Sequence, residues 1–210
     1  MANTGIKRLE MKLRLNAPEF VRKIYRLMRG MQTPIPSKTL PTELIHDCRL
    51  ANSRRAMLGL LPKNGRVAEL GTYKGQYARQ ILDLNSPTEL HVIDINYSHF
   101  DMTLLEDRRV TRHQGLTVKE IGKFPDSYFD WIYVDAGHSY DDVIADARAS
   151  ATKLRQGGYL VFNDFGQIDP FLGRYGVHRA VTDFVVEYRW PLRFLSLQEY
   201  AMYDVALQKP

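Results

Sequence analysis

From residue 65 onward, short apolar runs alternate with stretches of helical period, and four of the five central runs end in or just before an acid. The runs are RVAEL (66–70), ELHVIDI (89–95), RVTRHQ (109–114), FDWIYVD (129–135) and YLVFND (159–164). Helical segments are predicted between them, near 76–84, 98–106, 116–122 and 140–155. Strands this apolar are buried on both faces, and strands joined through helices run parallel with the helices packed on both sides. After a predicted helix over 176–188, LRFLSL and YDVALQ follow in close succession. A short link joins antiparallel neighbours, so this pair belongs at a sheet edge. The expected fold class is α/β, a doubly wound, mostly parallel sheet with helices on both faces.

The chain before residue 65 differs in character. The net charge is +5 over 210 residues, yet the first thirty hold eight Lys/Arg against two acids, so the remainder sums to −1. The basic balance therefore describes the N-terminal segment, and it does not make the body a nucleic-acid-binding domain. Residues 1–30 read as two short helices, the second capped by Asn16 with Pro18 in its first turn. Phe20, Val21, Ile24, Leu27 and Met28 share one face of it, and Arg22, Lys23, Arg26 and Arg29 the other. GMQTPIPSKTLP (30–41) is a Pro-rich linker. A further helix is predicted over Thr42–Leu61, ending before Pro62. The chain thus divides into a basic helical extension with its linker (1–40) and an α/β domain with the extra N-terminal helices ahead of it (41–210). Cys48 is the single cysteine, which excludes an internal disulfide and a cysteine-built metal site. With no apolar run of membrane-spanning length and no apolar core in MANTGIKRLEMK, the reading is a cytoplasmic protein.

In a doubly wound sheet the ligand lies beyond the carboxyl ends of the strands, near the switch point. Those ends here are Glu69 to Gly75, Asp94, Gln114-Gly115, Asp135 and Asn163-Asp164. In ELGTYKG, Gly71 permits a sharp turn and Gly75 a close approach by helix or ligand. The spacing is G-x-x-x-G, so the dinucleotide fingerprint is absent and a nicotinamide-dependent dehydrogenase is disfavoured. Glu69 would repel phosphates and suits a ligand carrying an ammonium group; the bland alternative is an ordinary tight turn. Asp94 lies 19 residues after Gly75, where such folds hydrogen-bond a ribose diol, although an acid there can also simply cap a helix.

VAELGTYKG, the acid of VIDIN, FDWIYVDAGHSYDDVIADARASATKLRQGGYLVFNDF and GVHRAVTDF together resemble the class I S-adenosylmethionine-dependent methyltransferases. The resemblance covers about residues 42–208 and is closest to a small-molecule branch with a D-x-x-H-S/T-Y element after the fourth strand. It implies a Rossmann-like, seven-stranded sheet of order 3-2-1-4-5-7-6 with strand 7 antiparallel. It implies S-adenosylmethionine as cofactor, with Glu69, Gly71, Thr72 and Gly75 around its methionine part and Asp135 beside it. Asp94 would hold the ribose, Ile95 would lie against the adenine, and Gly115 and Leu116 at the adenine edge. The family often has an acid just after that glycine; this chain has Leu116 and then Thr117. In the related catechol-type O-methyltransferases two strand-end acids bind magnesium, and Asp135 and Asp164 match them by position. The amide that completes the ligand set there is replaced by Phe165, with Asn163 on the other side of the acid.

Methyl transfer is an in-line displacement, and a hydroxyl acceptor must also lose a proton. His138 and Asp164 are the catalytic candidates. His138 lies three residues past a strand end and titrates near neutrality, which suits a base; it could equally tie its loop to a neighbouring carbonyl or to Asp164. Either His138 acts without metal, or a divalent ion such as Mg²⁺ bridges Asp135 and Asp164 and lowers the pKa of the acceptor hydroxyl. The second form is favoured, because two acids this close are costly without a cation or a shared proton. Asp141 and Asp142 read as first-turn helix acids, Tyr140 as packing and His178 as structural. Tyr73, Phe165, Phe171 and Tyr175 either wall an acceptor pocket or cover the core. The expected function is methyl transfer from S-adenosylmethionine to a small molecule, at a hydroxyl oxygen. The competing reading is an RNA- or membrane-surface-binding module that keeps the fold, supported by the basic residues 1–30. Glu69, Asp94, Asp135 and His138 occurring together speak against it. No Asn-Pro-Pro-aromatic element follows the fourth strand, so nucleic acid is disfavoured as a substrate. The expected partner is a small-molecule methyl acceptor. A homodimer and a weak peripheral membrane contact by the N-terminus stay open, and the N-terminal helices are expected to serve chiefly as a lid.

Overall fold

The computed structural model describes residues 18–21, 23–24, 36–166, 168–169, 173–198 and 202–210. The chain forms two units, a large one of residues 36–167 and 175–210 and a small one of residues 1–35 and 168–174. The elements of the large unit are β1 (Arg49–Ala51), α1 (Arg54–Leu58), β2 (Arg66–Leu70), α2 (Gln76–Asn85), β3 (Glu89–Asp94), β4 (Val110–Gln114), α3 (Thr117–Gly122), β5 (Phe129–Val134), α4 (Tyr140–Lys153), β6 (Leu154–Phe162), α5 (Val177–Tyr188), β9 (Leu192–Leu197) and β10 (Tyr203–Gln208). In the small unit β7 (Ile168–Asp169) pairs antiparallel with β8 (Gly173–Arg174), and residues 19–21 and 23–24 are helical with Phe20, Val21 and Ile24 exposed. The predicted helix pair of residues 1–30 otherwise lies outside the described residues. So do most of the linker, the lid and Phe171.

The large unit is built on one sheet of order β1-β9-β10-β6-β5-β2-β3-β4. With β1 set aside, this is the expected 3-2-1-4-5-7-6 arrangement, and β10 runs antiparallel to both its neighbours. The central strands are apolar almost without a break because both faces are covered. On one face α3, α4 and α5 bury Ile121, Val143, Ala147, Val181 and Phe184. On the other, α1 and α2 bury Met57, Leu58, Tyr77, Ala78 and Ile81.

Two predicted elements differ. The single helix expected over Thr42–Leu61 is a 3₁₀ turn at Thr42–Leu44, then β1, then α1. An eighth strand results, pairing parallel with β9 through Arg49–Ala51. The apolar positions of this stretch fit a helical stripe, but the free edge of β9 offers backbone partners, and the Ser53 hydroxyl accepts from the Ala56 amide to start α1 afresh. The helix expected near 98–106 is only a 3₁₀ turn, Met102–Glu106, begun by Asp101 accepting from the Thr103 amide. Asp101 in turn is held by Arg79 of α2 at 2.6 Å.

Candidate active site

The loop after β2 is shaped by its neighbours. Gly71 has φ +84°, and a Cβ there would stand 2.2 Å from the Asp135 carbonyl oxygen. Its amide donates to Ile93 at 2.8 Å, while the Asp135 amide donates to Leu70 at 2.7 Å. The ends of β2, β3 and β5 are thereby tied together, and Gly71 is needed for packing between strands as much as for the turn. Gly75, at φ +77°, lies against Leu104 and Phe100, where a Cβ would clash at 2.4 Å and 2.8 Å.

Glu69 sits at the base of this loop, 1% exposed. Among the described residues its one hydrogen-bond partner is the Thr72 hydroxyl, 2.8 Å away. Burial pushes its carboxyl up to about 8; Thr72 opposes this, and the nearby Asp135 and Asp94 add to it. A buried acid with so little compensation keeps its proton near neutral pH unless a cation meets it.

Asp94 does more than the sequence reading foresaw. One carboxylate oxygen accepts from the amides of Thr72, at 2.9 Å, and Tyr73, at 3.1 Å. The other accepts from the Asn96 amide at 3.0 Å. It therefore clamps the glycine loop, and since a carboxylate offers about four acceptor positions, one is left for a ligand. Beside it Ile95 and Leu116 stay 38% and 48% exposed, two apolar side chains flanking the end of β3 and the start of α3. Where the family often has an acid after the glycine, this chain instead folds Glu120 back. Its carboxylate lies 2.4 Å from where a Gly115 Cβ would be, and it pairs with Lys123 at 2.5 Å.

Beyond β5 and β6, His138, Asp135 and Asp164 come together. The His138 Nε2 lies 3.4 Å from an Asp164 oxygen and 3.6 Å from one of Asp135. The ring stacks on Tyr175 at 4.4 Å between centroids, and its backbone carbonyl accepts from the Gly176 amide at 2.8 Å. Gly176 can come so close because a Cβ there would stand 2.2 Å from the Tyr140 amide nitrogen. Burial pushes the Asp135 carboxyl up to about 7, against the pull of His138 and Arg54; with 24% of the side chain open, solvent relieves part of that. Asp164 takes a left-handed backbone, φ +53°, which Asp tolerates, and the loop is pinned by the Phe165 amide donating to Tyr203 at 2.6 Å.

The remaining candidates fall into structural places. Ser139 caps α4, accepting from the Asp142 amide at 3.2 Å while its hydroxyl donates to that side chain at 2.5 Å. The Tyr140 hydroxyl donates to Asp183, and its ring lies under Arg179. His178 contacts the Ser37 hydroxyl at 2.6 Å and stacks on Phe165. Tyr73 is exposed beside His99 and Lys74.

The residue that sequence reasoning missed is Arg54, on α1. Its Nη2 donates to the Asn163 side-chain Oδ1 at 2.8 Å and stands 3.6 Å from Asp164, and its Nε stands 3.0 Å from the fully buried Asp204. Tyr133 donates to the same Asp204 oxygen at 2.9 Å. Nothing local in SRRAML marks this arginine, because the strand ends it joins come from more than a hundred residues away. Its presence changes the magnesium expectation. The amide that could complete a ligand set, Asn163, is occupied by a guanidinium, and Phe165 brings no donor atom. Among the described residues no group of three or more His, Cys, Asp and Glu is placed to hold a metal ion. The donor set does not fit magnesium.

A mostly parallel sheet of this order, with β10 antiparallel, is the Rossmann-like methyltransferase fold. Residues 68–165 match a family model described as a methyltransferase domain. Similar folds include S-adenosylmethionine-dependent methyltransferases of Methanosarcina mazei (14% identity, 71% of this chain and 94% of the other, TM-score 0.54) and Mesorhizobium loti (14%, 76% and 98%, 0.54). A precorrin-6y C5,15-methyltransferase of Geobacter metallireducens is also similar (15%, 74% and 87%, 0.55). No curated protein matches the sequence. Residues 68–165 thus carry a methyltransferase-domain match, on a sheet with the fold of the S-adenosylmethionine-dependent methyltransferases.

Proposed function

We propose that the protein transfers a methyl group from S-adenosylmethionine to a hydroxyl oxygen of a small molecule. The observation that carries this reading is the His138 ring, 3.4 Å from Asp164 and 3.6 Å from Asp135, at the carboxyl edge of the sheet where the neighbouring strand β2 ends beside the buried Glu69. The residues fit the cofactor by chemistry. Glu69 would meet the ammonium group, the free acceptor position of Asp94 the ribose, and Ile95 and Leu116 the adenine faces. When bound, S-adenosylmethionine supplies an electrophilic methyl carbon. His138 would take the proton of the acceptor hydroxyl on its imidazole, and Asp164, 3.4 Å from Nε2, would stabilise the imidazolium that results. Tyr175 holds the ring by stacking, and the Gly176 amide holds its backbone.

The test is calorimetric titration with S-adenosylmethionine and S-adenosylhomocysteine, followed by a label-transfer screen over hydroxyl-bearing small molecules. Saturable binding of both compounds is expected. No heat and no thermal shift with either would overturn the reading.

A further inference from the structure

We propose that Arg54 is the resident cation of the acceptor side of this site, taking by charge and by partners the place beside Asp164 that a divalent ion would need. The inference rests on the methyltransferase reading above and explains why the acid pair is not a metal site. Three acids, Asp135, Asp164 and Asp204, crowd the ends of β5, β6 and the start of β10. Such a cluster requires positive charge. The guanidinium supplies it from one plane: Nη2 donates to the Asn163 side-chain oxygen at 2.8 Å and stands 3.6 Å from Asp164, while Nε stands 3.0 Å from Asp204 as a charge contact. A lysine has one point of charge and could not span these acceptors.

The guanidinium is itself built in. It lies 5.7 Å from the Tyr77 ring centroid, Tyr77 stacks on Tyr133 at 3.9 Å, and the Tyr133 hydroxyl donates to Asp204. Gln198 donates to the other Asp204 oxygen at 2.6 Å, and the Asp204 amide donates to Ser196 at 3.0 Å. A dication entering here would have to expel Arg54 and leave Asp204, buried without exposure, uncompensated. Asp164 is meanwhile bridged, one oxygen toward Arg54 and the other toward His138. Arg54 is thus a positioning residue: it fixes the carboxylate that faces the His138 imidazole, and transfer needs no metal.

The experiment is Mn²⁺ titration of the full chain followed by electron paramagnetic resonance, with S-adenosylhomocysteine calorimetry alongside. Wild type should show no Mn²⁺ binding that depends on Asp164. Arg54→Ala should bind Mn²⁺ at least about tenfold more tightly than wild type, and adding Asp164→Asn should remove that gain. A merely structural arginine would not create a metal site when lost. One Mn²⁺ per chain on wild type, abolished by Asp164→Asn, would overturn the proposal, and so would an Arg54→Ala protein that binds no better than wild type. Should Arg54→Ala not fold by circular dichroism, Arg54→Gln, which keeps an amide donor without the charge, carries the same comparison. Failure of S-adenosylhomocysteine to bind wild type would remove the methyltransferase reading, while the Mn²⁺ result would still judge Arg54.

Discussion

His138 is held through its ring by Tyr175 and through its backbone by Gly176, with an acid on each side of Nε2 at 3.4 and 3.6 Å, so its orientation is set before any acceptor arrives. A general base fixed in this way contributes roughly 10²–10⁴-fold to turnover. His138→Ala should therefore lower turnover by about that factor and leave S-adenosylhomocysteine affinity unchanged by calorimetry. Equal losses in both would show that the ring supports the cofactor loop instead. Asp94→Ala separates differently. It removes the acceptor we propose for the ribose and the shared partner of two glycine-loop amides, so affinity should fall by roughly 1–3 kcal/mol and the melting temperature should fall with it. Unchanged affinity would show that Asp94 serves the loop alone.

At the scale of the element, the β2–α2 turn is the tightest constraint. Gly71→Ala puts a methyl 2.2 Å from a backbone carbonyl at a positive φ, and neither neighbour is a side chain that can swing away. The cost should be about 3 kcal/mol or more in urea unfolding, since strain at a special φ and a steric clash both apply. A loss under about 1 kcal/mol would mean that β5 yields at Asp135. This turn could be read in the sequence because a glycine after an apolar run has few other uses. The stretch 42–61 could not. Leu44, Met57 and Leu60 are consistent with one helix, and only the open edge of β9 makes Arg49–Ala51 a strand.

For the whole molecule, the buried carboxyls set the response to pH. Glu69 and Asp135 have pKa values raised to about 8 and about 7, so the native state keeps protons that the unfolded chain has released. Stability from this source is complete below about pH 4 and falls as pH rises toward 8. Asp146, raised to about 6 by burial, acts in the same direction at lower pH. His91, His113 and His178, all lowered chiefly by burial, act oppositely, but only up to their ordinary value of 6.5. Between pH 6.5 and 8 the two carboxyls prevail. The ligand-free protein should lose stability over that interval in urea titrations, and Glu69→Gln should flatten the slope. A wild-type slope of zero or above would contradict the burial assigned to these groups.

The alternation of strands with helices, the helices on both faces and the five strand ends were determined by the sequence, because strands buried on both sides must be apolar throughout and a glycine turn must follow where the chain doubles back; the sheet order was implied only by the resemblance, and β1 was added to it by packing on β9. Glu69, Asp94, Asp135, His138 and Asp164 were legible for the same reason: an open sheet presents whatever stands at its carboxyl ends. Tertiary structure alone decided what those acids meet. Arg54 comes from a helix with no local mark, Asp204 from the start of the last strand, and Asn163 turns its carbonyl toward the arginine instead of a metal. Charge compensation depends on distance in space, across about 109 positions of chain between Arg54 and Asn163. No periodicity or spacing records such a pairing; it exists only once α1, β6 and β10 have packed.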